Sequence, residues 1–276
     1  MVVVPNVTLN NGVTVPQLGF GVFQVSQEQT QQVVEDALEA GYRHIDTAAA
    51  YGNEAGVGAA IAACGIPREE IFITTKLRNG EHATAAQAFE ASRQALGVDA
   101  IDLYLIHWPV PSQGLFVEAW QALEKIYAAG GARAIGVSNF LAEHLDTLLA
   151  NTTVVPAVNQ FELHPTFQQA ALSAKSRALG IAVEAYSPLG QGADLDAATV
   201  TALAKKHGAA PAQVILGWHL GVGHIAIPKS THPNRIRENL ATAEVTLSLD
   251  ELDAITALDS GARIGTDPAK AAHTQM

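Results

Sequence analysis

The chain has 276 residues, 48% of them hydrophobic and 16% charged, and carries a formal net charge of -11. That balance belongs to a folded chain with a sizeable core, and its acidity argues against a general nucleic-acid surface or an anionic membrane patch. A single cysteine, Cys64, excludes an internal disulfide and a thiolate-rich metal site, and its alanine-rich helical setting makes it packing. The opening Met1-Val2-Val3-Val4-Pro5-Asn6 lacks basic residues and is broken by proline, so no signal peptide is expected. No apolar run approaches the ~20 residues that span a bilayer, so no membrane partner is expected. A cytoplasmic protein is the economical expectation. No heptad or apolar helix face asks for a partner chain, so a monomer is expected too.

In chain order, residues 7–15 alternate around Asn11-Gly12, the signal of a tight hairpin. A short strand at 18–21 leads to a helix at 27–40, where Val33, Val34, Ala37 and Leu38 recur at helical spacing before Gly41. The same rhythm then repeats. Strands at 44–47, 71–76 and 101–107 are followed by helices at 54–64, 83–96 and 117–129. Strands at 133–138, 157–162 and 181–186 follow, the first two with helices at 141–149 and 167–179. The third leads into two helices, 197–207 and 211–220. A strand at 224–228 precedes a helix at 233–243. A last helix, 250–258, opens on Ser248-Leu249-Asp250-Glu251, a capping box.

Eight strand–helix units without a break in composition predict one domain over 1–276. The expected fold is α/β, an eight-stranded (β/α) TIM barrel. The hairpin would plug its amino-terminal end, with extra helices at the carboxyl terminus. The rival, a doubly wound open sheet, lacks support because no G-x-G-x-x-G follows any strand.

In such a barrel the active site lies at the carboxyl ends of the strands. There the sequence places Asp46, with Tyr51 five residues on in a loop closed by Gly52. Lys76, His107, Ser138-Asn139, Gln160, Tyr186 and Lys229-Ser230 end later strands. Each alone fits a structural role: a strand-end carboxylate, a loop aromatic, a snorkelling lysine, a satisfied histidine. Asn53 suits a helix N-cap. Four ionisable groups in register at consecutive strand ends fit that reading poorly. A phenol is a weak acid at neutral pH, with a pKa near ~10, and an ammonium beside it favours the phenolate. A carboxylate fixes the ammonium, and a neutral imidazole steers an oxygen toward the phenol. Together these are equipment for protonating an oxygen that becomes negative, as when hydride adds to a carbonyl. No metal set is present, and neither a nucleophile elbow nor a Walker loop appears.

Lys229, Ser230, Thr231, Arg235 and Asn239 bracket the loop into the helix at 233–243. They offer two cations, two hydroxyls and a helix amino terminus, a grouping suited to a 2′-phosphate and hence to NADPH.

Four runs carry a family resemblance: Gly41-Tyr42-Arg43-His44-Ile45-Asp46-Thr47-Ala48, Ile106-His107-Trp108-Pro109, Ile135-Gly136-Val137-Ser138-Asn139-Phe140 and Ile227-Pro228-Lys229-Ser230. The chain resembles the aldo-keto reductase superfamily over essentially its whole length. Within it, Tyr51-Gly52-Asn53-Glu54, Val155-Pro156-Ala157-Val158-Asn159-Gln160 and Pro188-Leu189-Gly190-Gln191-Gly192 look most like the bacterial 2,5-diketo-D-gluconate reductases. The resemblance implies an NADPH-dependent reductase of small aldehydes and ketones. Tyr51 would be the general acid, Lys76 and Asp46 its tuning pair, and His107 the residue that orients the carbonyl. Ser138, Asn139 and Gln160 would hold the nicotinamide carboxamide, and Tyr186 would stack on the ring. Glu238 would touch the adenine amine, and Leu189 with Gly190 to Gly192 would strap the pyrophosphate. Gly21, Val22, Phe23, Asp46, Ser187, Gln191 and Ile227 complete the cofactor contacts that the resemblance implies.

Phe23, Ala50, Tyr51, His107 and Trp108 are the expected walls of the substrate pocket. Arg78 stands where such reductases carry tryptophan, either as a plain surface cation or as a group favouring anionic keto acids. The short loop 109–113 and the short polar tail after Gly261 predict a shallow, open pocket. Two other readings use the same barrel: a non-catalytic NADPH-binding regulatory subunit, and a sugar-phosphate isomerase or lyase without a dinucleotide.

Overall fold

The computed structural model describes residues 2–275, so the first and last residues of the expected 1–276 domain lie outside the description. The hairpin forms from β1 (Asn6–Thr8) and β2 (Thr14–Pro16), with Val7 opposite Val15. Its Gly12, at φ 85°, takes the left-handed turn position that other residues rarely adopt. Leu9 and Val15 drive inward against Phe72, Leu103, Leu105, Val158 and Ile225. The hairpin is thus the floor of the barrel.

Eight parallel strands follow: β3 (Phe20–Gly21), β4 (His44–Asp46), β5 (Phe72–Leu77), β6 (Ile101–Ile106), β7 (Ala132–Ser138), β8 (Val158–Glu162), β9 (Ala182–Tyr186) and β10 (Ile225–Ala226). Each pairs with its predecessor, and the sheet curls until its edges meet, with Leu18 bridged to Ala226. The Gly19 amide donates to the Ala226 carbonyl at 2.9 Å, and the Ala226 amide to the Gln17 carbonyl at 2.9 Å. Strand β10 is shorter than 224–228, although the Ile227 amide still donates to the Ala185 carbonyl at 3.2 Å and the Pro228 carbonyl accepts the Gly21 amide at 3.0 Å; Pro228 itself has no amide to continue the ladder.

Helices α1 (Gln27–Ala40), α2 (Glu54–Ala63), α3 (Ala85–Leu96), α4 (Phe116–Ala128), α5 (Ala142–Asn151) and α6 (Ala170–Ala178) cover the strands, followed by α7 (Ala198–His207), α8 (Pro211–Gly221), α9 (Pro233–Leu240) and α10 (Leu249–Thr256). One face of α1 shows why: Val33, Val34, Ala37 and Leu38 are buried, while its glutamines and glutamates face water. Gly58 lets α2 approach α3 closely, since a Cβ there would sit 2.5 Å from the Leu96 carbonyl oxygen. The predicted box at α10 is present: the Glu251 amide donates to Ser248 Oγ at 3.3 Å, and the Ser248 amide to Glu251 Oε2 at 2.8 Å.

Two expectations are corrected. The helix predicted from residue 167 begins at Ala170, because Phe167 pairs with His164 and Gln169 adopts φ 48°. Asn53 precedes α2, but its side chain does not cap the helix. Its amide donates to the Val22 and Val25 carbonyls at 3.0 and 3.2 Å, and its oxygen accepts from Thr47, tying the Tyr51 loop to the β3 loop.

Candidate active site

The barrel's carboxyl-end mouth gathers Asp46 from the end of β4, Lys76 from β5, His107 just past β6, and Tyr51 from a short 3-10 turn, Ala49–Tyr51. Lys76 has no solvent exposure. Its Nζ donates to Asp46 Oδ1 at 2.6 Å and to the Thr47 carbonyl at 2.8 Å, and lies 5.2 Å from the Tyr51 ring centroid. Burial pulls the Lys76 pKa down, but Asp46 and the Tyr51 phenol outweigh it, so the amine is held above its ordinary value and stays charged. The rings of Tyr51 and His107 meet edge-on at 5.7 Å. Burial, then the Lys76 ammonium, hold His107 well below the usual imidazole range, and its Nδ1 is buried without a partner among the described residues. A neutral imidazole results. Burial raises the Tyr51 phenol above its ordinary value while Lys76 pulls it down. The expectation that the ammonium brings this phenol below its ordinary value is therefore corrected, since burial outweighs it.

The next strands supply a polar wall. Gln160 Nε2 donates to Asp46 Oδ2 at 2.9 Å. Asn139 Nδ2 donates to the His107 carbonyl at 3.0 Å and to Ser138 Oγ at 3.1 Å, and Asn139 Oδ1 accepts the Tyr186 hydroxyl at 2.8 Å. Asn139 at φ 62° and Ser187 at φ 48° both hold left-handed backbone at this rim, the kind of local strain that collects at binding sites. Ile227 and Gly21 meet across the closed seam, where a Cβ on Gly21 would sit 3.2 Å from the Ile227 carbonyl oxygen.

Leu189 leads the strap residues Gly190 to Gly192, which form a tight turn with Gln191 at φ 52°. Lys229, Arg235 and Glu238 are exposed around the start of α9, Thr231 is half-buried, and Ser230 and Asn239 are buried beneath. Ser230 Oγ accepts the His232 amide at 3.1 Å, which leaves the two cations at the surface.

Phe23 is 43% exposed and its ring lies 5.1 Å from Tyr51. Val22 is buried behind it, and Ala50 and Trp108 flank the mouth, half-buried and buried. The tail is not a bystander. Ala271 packs on Trp108 and Val110, His273 meets the Trp108 ring at 5.0 Å, and Asn79 Nδ2 donates to the His273 carbonyl at 2.9 Å. Arg78 donates from Nε to the Gln275 carbonyl at 3.2 Å, so it fastens the tail. The short tail thus folds back onto Trp108, Asn79 and Arg78 beside the mouth.

Two more buried ionisable groups, to which the sequence reading gave no role in the site, lie inside or at the rim of the barrel. Glu184 sits inside the barrel on β9, legible only as one acid within an apolar strand. His164 lies between Glu162 (3.2 Å) and Asp194 (2.8 Å), and those hydrogen bonds overcome burial to raise it to about 9. No cluster suited to a metal ion occurs among the described residues.

Fold and site together define an α/β barrel with a buried lysine–carboxylate pair, a phenol and a neutral imidazole sharing its mouth. The chain belongs to the aldo/keto reductase family, whose model matches residues 17–260, and it is therefore an oxidoreductase of that family. It is 47% identical over 279 residues to morphine 6-dehydrogenase of Pseudomonas putida, covering 96% of this chain and 94% of that one. It is also 47% identical over 270 residues to methylglyoxal reductase DkgA of Yersinia pestis, covering 97% and 98%. Among solved structures, an aspartate-to-alanine mutant of Gox0644 in complex with NADPH superposes with a TM-score of 0.94 at 42% identity, covering 98% of this chain and 99% of that one.

Proposed function

We propose that the protein reduces small aldehydes and ketones with NADPH, Tyr51 giving the proton. One observation carries the reading. Lys76, fully buried, lies between Asp46 Oδ1 at 2.6 Å and the Tyr51 ring at 5.2 Å, at the mouth that His107 shares. The fit to an anionic dinucleotide rests on this chain's own groups. Two exposed cations, Lys229 and Arg235, stand at the start of α9 on a chain of net charge -11. A 2′-phosphate would find a bidentate partner in Arg235 and a point charge in Lys229. Ser138, Asn139 and Gln160 would hold the carboxamide, beside the Tyr186 ring that Asn139 fixes by its hydroxyl.

When bound, NADPH supplies hydride. The protein's part is then acid catalysis and alignment. His107, neutral, donates a hydrogen bond to the carbonyl oxygen without delivering a charge. Tyr51 transfers its proton to that oxygen as negative charge develops, and Lys76, pinned by Asp46, stabilises the phenolate left behind. Phe23, Trp108 and the tail at His273 bound a pocket for a small carbonyl. The substrate itself is open between classes, since relatives equally identical to this chain are named for morphine and for methylglyoxal.

Purified protein mixed with NADPH and a panel of small dicarbonyls tests the reading by the loss of reduced-cofactor absorbance. The expected result is turnover on at least one of them, with alcohol formed. Tight NADPH binding without turnover on any would leave a cofactor-binding subunit.

A further inference from the structure

The layer beneath the tetrad holds one ionisable group that this chemistry leaves unused. Glu184 lies in register with Gln160 on β8 and Ile225 on β10, and its side chain is fully buried. Neither of its carboxylate oxygens has a hydrogen-bond partner among the described residues. The groups facing it are His44 and Asp46 on β4, Lys76 on β5, Gln160 on β8, and Tyr51 at the mouth above.

The protons these groups carry are directed chiefly at Asp46 and at backbone carbonyls. Gln160 gives its amide proton to Asp46 Oδ2 at 2.9 Å. Lys76 gives protons to Asp46 and to the Thr47 carbonyl. His44 Nδ1 lies 3.3 Å from the Pro16 carbonyl oxygen, so the ring proton belongs there. His44 Nε2 then accepts from Thr74 Oγ1 at 3.0 Å and, 3.8 Å from Glu184 Oε1, has no proton to give it. Burial holds that imidazole down at about 4 even with Asp46 and Asp102 nearby, so it brings no positive charge. An ionised Glu184 would meet an uncharged ring and a second carboxylate. An un-ionised carboxyl at the same place meets no repulsion.

We propose that Glu184 is a positioning residue that sets the charge beneath the tetrad: it stays protonated in the working enzyme, leaving Asp46 and Lys76 as one balanced pair, and its ionisation turns carbonyl reduction down. The proposal rests on the reductase reading above. A carboxylate formed at Glu184 is felt by both Lys76 and Tyr51. It strengthens the hold of Tyr51 on its proton, and a weaker acid protonates the carbonyl oxygen more slowly. Burial first, and Asp46 second, raise Glu184 to about 8, against the pull of Lys76 and of the Gln160 amide.

Two measurements on the full chain and its E184Q variant test this. In the first, kcat for reduction at saturating NADPH is followed as pH rises. Wild type is expected to lose about tenfold, the effect of one pKa unit on Tyr51, through pH about 8, and E184Q to lack that limb. Superimposable profiles would overturn the proposal. The second needs no turnover. A carboxyl whose folded pKa is raised from 4.5 to about 8 stabilises the fold fully below 4.5 and loses that contribution as pH climbs to about 8. The melting temperature of E184Q minus that of wild type should therefore grow across this window and level off above it. A constant difference would mean that Glu184 is ionised throughout, and would overturn the proposal. A growing difference in a protein that reduces no carbonyl would overturn the reductase reading instead.

Discussion

Two buried charge clusters stand at different strand ends, and they treat the same kind of side chain, an imidazole, in opposite ways. At the mouth, burial and the Lys76 ammonium hold His107 well below its ordinary range, with Nδ1 lacking a partner among the described residues. Past β8, hydrogen bonds that His164 gives to Asp194 and Glu162 overcome burial and raise it to about 9. The second cluster has met its hydrogen-bonding capacity. Glu162 accepts His164 and the Ile264 and Gly265 amides, at 2.6 and 2.7 Å, while Asp194 accepts His164 and Thr166. It fastens the tail to β8 and to the chain just past the Gly190–Gly192 turn. The first cluster keeps a half-buried phenol and an unpartnered nitrogen at an opening. Burying charge does not itself mark chemistry; charge with unmet hydrogen-bonding capacity beside a mouth does.

That contrast is most readily broken at Tyr51. Tyr51→Phe keeps the ring contacts and removes the proton, so kcat for carbonyl reduction should fall by about 10²–10⁴-fold with NADPH affinity unchanged in a fluorescence titration. Substantial remaining activity would point to chemistry that does not use the phenol. Lys76→Met leaves Asp46 buried and unpaired, and urea unfolding should show a loss of about 3–5 kcal/mol. His164 sharpens the other half of the contrast. Its raised pKa gives stability that is full below 6.5 and lost as pH rises through about 9, on the order of 3 kcal/mol in all. Denaturant midpoints followed across that range should slope less in His164→Gln than in wild type, the remaining slope up to about pH 8 being that of Glu184, while the kcat profiles of the two proteins superimpose. The smallest effect belongs to Arg235→Ala. Losing one charge-assisted contact, worth about 1.5–3 kcal/mol, should weaken NADPH in calorimetry and leave NADH nearly untouched. Equal losses for both cofactors would move the 2′-phosphate elsewhere.

The alternation of strand and helix was legible because each strand is an apolar run and each helix keeps its 3.6-residue spacing. Strand ends therefore located Asp46, Lys76, His107, Gln160 and Tyr186 from the sequence alone, and the structure brings them to one mouth. The tail was not legible, since it is fixed through carbonyls at His273 and Gln275 that any residue would offer. Nor was the late start of α6, which depends on one left-handed residue, Gln169. Glu184 escaped notice because an inward-facing acid in mid-strand reads as a solvated position until the opposite strand is known. The contact of Arg78 with the tail was hidden for the same reason: only the folded chain shows what lies within its reach.

A crystal structure of the protein with NADP tests the central claim most directly. The account predicts the carboxamide on Ser138, Asn139 and Gln160, the 2′-phosphate on Arg235, and the nicotinamide ring between Tyr186 and the Tyr51 hydroxyl. A dinucleotide bound elsewhere, with Tyr51 and Lys76 out of its reach, would contradict it.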